Sequence, residues 1–117
     1  MPAVNPRVLD GLRSLDAASA PGMLQALIDQ FLRETEPRLR MLQEFITAND
    51  VVGAERLIRG LKATCANIGA QAMSRMCADL QPPGRPFDGA RATAMLASLE
   101  TEYRSVKAEL EAVRRSL

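Results

Sequence analysis

The side chains that could do chemistry in this 117-residue chain are few, and they include no histidine. General acid–base work near neutral pH therefore lacks its usual group. Cys65 and Cys77 are too few for a tetrahedral metal site when no imidazole can complete it. Glu34 and Glu36 stand among Arg33, Arg38 and Arg40, which reads as the wet side of a helix, because nothing converges on them to shift a pKa. Thr64 and Ser74 have no base beside them. No catalytic site, metal or cofactor is expected. What remains is a dense central run, Arg59-Gly60-Leu61-Lys62-Ala63-Thr64-Cys65-Ala66-Asn67-Ile68-Gly69-Ala70, with two cations at one-turn spacing.

The elements that must position this run are helices. Aromatic residues are 3% of the chain, while helix formers such as Leu, Ala, Met and Arg abound, so an all-α fold is expected. A single domain over 1–117 is expected from the length. A formal charge of +1 gives no electrostatic footprint for nucleic acid or an anionic membrane. No run reaches the ~20 apolar residues of a spanning helix, and Met1 to Arg7 lacks the order of a signal peptide. A cytoplasmic protein is the expectation.

Asn5 before Pro6, followed by Leu9, Leu12 and Leu15, predicts a short helix over about 6–15. Asp16 to Pro21 reads as a linker with a second cap-and-proline start. Leu24, Leu27, Ile28, Phe31, Leu32, Leu39, Leu42 and Ile46 then hold one stripe, which predicts one kinked helix through Pro37 over about 21–48. Asn49 and Asp50 close it and cap the next. A third helix, about 51–67, should bury Ala54, Leu57, Ile58, Leu61, Cys65 and Ile68. That leaves Glu55, Arg59, Lys62, Ala63 and Ala66 on the outer or flanking side. Asn67 and Gly69 stop it, and a shorter helix over 70–80 turns Met73, Met76, Cys77 and Leu80 inward. Gln81 to Asp88, with Pro82, Pro83, Gly84 and Pro86, reads as an exposed loop whose Asp88 caps the last helix. Leu96, Leu99, Tyr103, Val106, Leu110, Val113 and Leu117 then alternate spacings of three and four, the pattern of a bundle seam. Short loops predict an up-down-up-down antiparallel four-helix bundle with an extra N-terminal helix. Cys65, Cys77 and the methionines Met23, Met41, Met73, Met76 and Met95 read as core or near-core side chains.

The central run resembles the signature of histidine phosphotransfer (HPt) domains, H-x-L-K-G-S-S-x-N-x-G-A, with Arg59 at the place of the phosphate-accepting histidine. Leu27-Ile28-Asp29-Gln30-Phe31-Leu32, Arg38-Leu39-Arg40-Met41-Leu42 and Cys77-Ala78-Asp79-Leu80-Gln81 are similar to the family's flanking segments, so the likeness spans nearly the whole chain. It implies a helical bundle of bacterial two-component signalling, whose partners are response-regulator receiver domains and histidine kinases. Lys62 keeps the lysine that in the family lies beside the phosphohistidine. Asn67 and Gly69-Ala70 keep the helix end. Ala63 replaces a glycine that lets the partner approach, and Gln81 replaces a glutamate.

A protonated guanidinium has no free lone pair for attack on an aspartyl phosphate. Phosphate esters on Thr64 or Ser74 would be too stable for a reversible relay. The resemblance therefore implies a non-phosphorylatable member that binds a receiver domain, with Arg59, Lys62, Ala63, Ala66 and Glu55 as the docking face. In that setting the Arg59 fork enters an acidic pocket; otherwise it is a solvated side chain paired with Glu55. Two other readings stay open. One is a genuine phosphotransfer protein whose acceptor histidine has been replaced by Arg59. The other is a structural bundle that forms a homodimer through the seam from Leu96 to Leu117.

Overall fold

A computed structural model describes residues 2–19, 21–80 and 88–117. Among them lie five α-helices and no strand: α1 (Pro6–Ser19), α2 (Met23–Thr47), α3 (Val51–Ile68), α4 (Gln71–Leu80) and α5 (Gly89–Arg115). Helix α2 packs on α3 and on α5, α4 closes the bundle between α3 and α5, and α1 lies on α2. Directions follow from paired residues. Arg38 reaches Thr64 while Phe45 lies against Gly53, so α2 and α3 run antiparallel. Asp29 meets Arg114 while Glu36 meets Lys107, so α2 and α5 do too.

The helix ends follow the chemistry of their sequences. Asn5 accepts the Arg7 N–H at 2.9 Å, and Asp88 accepts the N–H groups of Ala90 and Arg91, each stabilising orphan donors of a first turn. Asn49 takes the left-handed conformation with φ 54°, and Asp50 accepts the Gly53 N–H at 2.9 Å. Helix α1 runs past the expected boundary to Ser19, because Ala17 and Ala18 are strong helix formers with nothing before residue 20 to stop them. The expected cap-and-proline start of α2 is not used. Gly22, with φ 85°, is the N-cap, and no side chain caps there. Helix α2 passes unbroken through exposed Pro37. Of the expected loop over 81–88, all but Asp88 lies outside the described residues.

The core is one cluster drawn from every helix. Leu24, Ile28, Phe31, Leu39, Leu42 and Ile46 are buried as expected, as are Ala54, Ile58, Leu61, Cys65 and Ile68 of α3. Leu27, in contrast, is exposed, and Leu32 and Leu57 are only half-buried. The stripe of α2 advances by fours and threes through Thr35, and a polar residue at that step hid its bearing from the apolar pattern. Leu9, Leu12 and Leu15 sit three apart, and each step falls about 60° short of a full turn. Leu9 is therefore buried, Leu12 half-buried and Leu15 exposed. Met41 is 48% exposed and leaves the expected core, while Met73 is fully buried.

The seam of α5 is buried from Leu96 through Leu110, joined by Ala92. Leu117 lies beyond the helix end and is exposed. From Leu96 to Leu110 the chain's own helices already cover this face, so that stretch is not free for a partner in the folded chain. Sequence pattern also missed the segment before α1. Ala3 and Val4 are buried, and their N–H groups donate to the Glu109 carboxylate at 2.6 and 3.1 Å. No helix among the described residues is long and apolar enough to cross a membrane.

Thr35 is fully buried, and its hydroxyl has no hydrogen-bond partner among the described residues. An unsatisfied buried hydroxyl costs about 1 kcal/mol or more. Thr35→Val, which keeps the shape, should raise stability by about 1 kcal/mol; denaturant unfolding measures it, and a destabilised variant would contradict the account.

Two ion pairs tie α2 to α5, Arg114 to Asp29 at 2.6 Å and Lys107 to Glu36 at 2.9 Å. The hydrogen bond from Arg114 holds the Asp29 carboxyl below its ordinary value, and that from Lys107 does the same for Glu36. The same bonds raise the pKa of Lys107 and of Arg114. For the lowered carboxyls, the stabilisation is present above their unfolded values near ~4 and is lost as pH falls through the folded values. For the raised cations, it is present below their unfolded values and lost only at strongly alkaline pH. Asp29→Asn with Glu36→Gln should therefore flatten the acid limb of the stability–pH curve and leave stability little changed once pH is below the lowered folded values. Urea titrations from pH 2 to 8 provide the comparison.

Candidate functional site

Helix α3 is fixed in rotation by its inner stripe, and the outer side follows from it. With Ala54, Ile58, Leu61, Cys65 and Ile68 buried, Arg59 points away from the core. Glu55, Arg59, Lys62, Ala63 and Ala66 are all exposed, as expected. Arg59, Ala63 and Ala66 follow one another along the outer ridge, while Glu55 and Lys62 flank it on one side. The face is convex and carried by a single helix. Among the described residues, no hydrogen bond or ion pair from another helix reaches the Arg59 side chain.

The ion pairs among the described residues are Arg38–Glu34, Lys107–Glu36 and Arg114–Asp29. The expected pairing of Arg59 with Glu55 is not among them. Within the described residues, neither the Arg59 guanidinium nor the Lys62 ammonium makes a hydrogen bond or ion pair. The backbone beneath them is well tied. Ser74 Oγ of α4 donates to the Lys62 carbonyl at 3.1 Å, and Thr64 Oγ1 donates to the Gly60 carbonyl at 2.9 Å. Arg38 Nη1 of α2 donates to Thr64 Oγ1 at 3.3 Å. Both hydroxyls of the central region are therefore engaged in positioning α3.

Two residues that sequence reasoning passed over belong on the same ridge. Val52 is 59% exposed and Arg56 is exposed, and positions 52, 56, 59, 63 and 66 keep the four-three spacing of one helix face. That spacing was the signal that could have found them. Arg56 and Val52 also line a shallow hollow of about 440 Å³ with Phe45 and Leu57 at the α2–α3 turn. On the α2 side, a groove of about 490 Å³ is lined by Leu12, Leu27, Phe31, Arg38, Thr64 and Asn67. Among the described residues, no group of three or more side chains could hold a metal ion.

Gly69 ends the site helix. Its φ of 87° is a left-handed conformation that an L side chain adopts only at a cost. The Ala70 N–H closes back on the Cys65 carbonyl at 2.8 Å, and the Gly69 carbonyl accepts the Asn5 N–H at 2.8 Å. A Cβ at position 69 would stand 2.9 Å from the Val8 Cβ. The helix end is thus held by both the preceding turn and the N-terminal segment.

The Hpt domain family model matches residues 26–116, and the chain belongs to that family. The match takes in nearly all of α2 and reaches through α5, leaving α1 outside it. Members of the family are phosphotransfer carriers of two-component phosphorelays that meet receiver domains and kinases. No curated protein and no solved structure matches the chain.

Gly69→Ala should destabilise the fold by about 1–3 kcal/mol through the strained backbone alone, with the Val8 contact adding to it. Thermal unfolding of this variant beside Gly60→Ala, whose added Cβ meets nothing within 4 Å, tests the point. Equal losses would remove the special role of Gly69.

Proposed function

We propose that this chain is a non-phosphorylatable member of a two-component phosphorelay that acts by binding a response-regulator receiver domain through the outer face of α3. The observation that carries the reading is the exposed Arg59, which makes no polar contact among the described residues and which the resemblance of the central run aligns with the family's acceptor. A guanidinium cannot take up phosphate as an imidazole does, but its fixed fork suits carboxylate. Arg56 and Lys62 add positive charge beside it, and Ala63 and Ala66 leave room for a partner to come close. The bundle beneath supplies a rigid platform, so little ordering cost attends docking.

Arg59→Glu should abolish binding to the cognate receiver while leaving stability within about 0.5 kcal/mol of the parent, as expected of an exposed site. Titration calorimetry against the receivers of the same genome, with thermal unfolding in parallel, reads both quantities. Undiminished binding by the variant would remove Arg59 from the account. Arg59→His separates the docking reading from that of a phosphotransfer protein with a replaced acceptor. Rapid phosphate exchange between this variant and a phosphorylated receiver would favour the latter.

A further inference from the structure

Val52 is 59% exposed, more than any other large apolar side chain among the described residues. It borders the hollow of about 440 Å³ at the α2–α3 turn, which Phe45, Gly53 and Leu57 also line together with exposed Asp50 and Arg56. A Cβ at position 53 would stand 2.7 Å from the Phe45 ring, so the glycine is what lets that ring lie against α3 and form a wall of the hollow. Met41, one turn before Phe45 on α2, is 48% exposed and continues the apolar surface. The two charges at this hollow are only partly used. Asp50 spends Oδ1 on the Gly53 N–H, while its Oδ2 and the Arg56 guanidinium have no hydrogen-bond or ion-pair partner among the described residues.

We propose that this face is the contact between two copies of the chain, with Val52 of each entering the hollow of the other and Arg56 of each meeting Asp50 of the other. A protruding apolar side chain beside a hollow, with one available charge of each sign, is a surface that complements itself. Under a two-fold axis every contact is made twice, residue i on j and j on i, so both hollows are filled and both charges are answered. A partner of uniform charge would leave either Asp50 or Arg56 facing its own sign. The patch is well short of the roughly 20–30 residues a side of a standard interface, so the association is weak and reversible. It also competes with docking. Arg59 follows Arg56 on the same ridge by one turn, and a second copy seated on Val52 and Arg56 covers the start of that ridge.

Sedimentation equilibrium of the intact chain over a wide range of concentration is the test, and it needs no receiver. The mass should rise from that of one chain toward that of two, and Val52→Glu should weaken the association about tenfold or more. Arg56→Asp and Asp50→Lys should each stay monomeric alone, because each then sets like charges against one another across the axis. Mixed in equal amounts the two variants should form a heterodimer, since Asp at 56 then faces Lys at 50 and Asp50 faces Arg56, and this heterodimer should weaken as salt rises. A single-chain mass at every concentration overturns the proposal. So does a Val52→Glu variant that dimerises like the parent, or a mixture that stays monomeric although circular dichroism shows both charge variants folded.

Discussion

The burial of one face of α3 is the constraint on which the remaining structure depends. Five positions, Ala54, Ile58, Leu61, Cys65 and Ile68, point into the cluster built by α2, α4 and α5. Turning the helix by even one position would bring Arg59 or Lys62 toward an apolar interior, where an unpaired charge is costly. The rotation of α3 is therefore set by what it must hide, and the outer ridge is a consequence. The polar ties at Thr64 and Ser74 hold the helix along its axis. The Asp50 cap and the Gly69 turn hold its ends.

The bundle that receives α3 is fastened by unequal means. Apolar burial supplies the bulk of the driving force and is shared by every helix. The ion pairs between α2 and α5 lie at the rim, with partners 37–44% exposed, and such pairs add little to stability while favouring one register. Glu109 does something different, because it ends two backbone N–H groups of the N-terminal segment where that segment is buried. The Asn5 N–H, bonded to the Gly69 carbonyl, extends the same fastening to the end of the site helix.

Much of this was legible in the sequence, for reasons that particular residues make plain. The seam of α5 keeps a strict alternation of three and four, so nearly all of it was found. The inner stripe of α3 was found for the same reason, and with it the exposure of Arg59. Thr35 broke the apolar pattern of α2, and its neighbours Leu27 and Leu32 were placed too deep. Ala3 and Val4 could not be read at all, because their burial depends on Glu109, more than a hundred residues away. The outer face was legible in outline, but Val52 and Arg56 were passed over because the resemblance begins at position 59, whereas the helix face begins about two turns earlier.

Where Arg59 is taken to stand at the acceptor position, as the resemblance implies, the difference between imidazole and guanidinium decides what the face can do. An imidazole can exist neutral, attack, carry a group and release it, because its charge varies within the physiological range. A guanidinium keeps one charge and offers only donors, so its contribution to any partner is set by the acceptors it meets. The hydroxyls that might have substituted as nucleophiles are already spent, Thr64 on the Gly60 carbonyl and Ser74 on the Lys62 carbonyl. Arg59 is thereby left on a rigid ridge as a cation without a described partner, beside Arg56 and Lys62. On the reading proposed above, a surface of that kind would gain most from an acidic concavity and would hold a partner without covalent exchange.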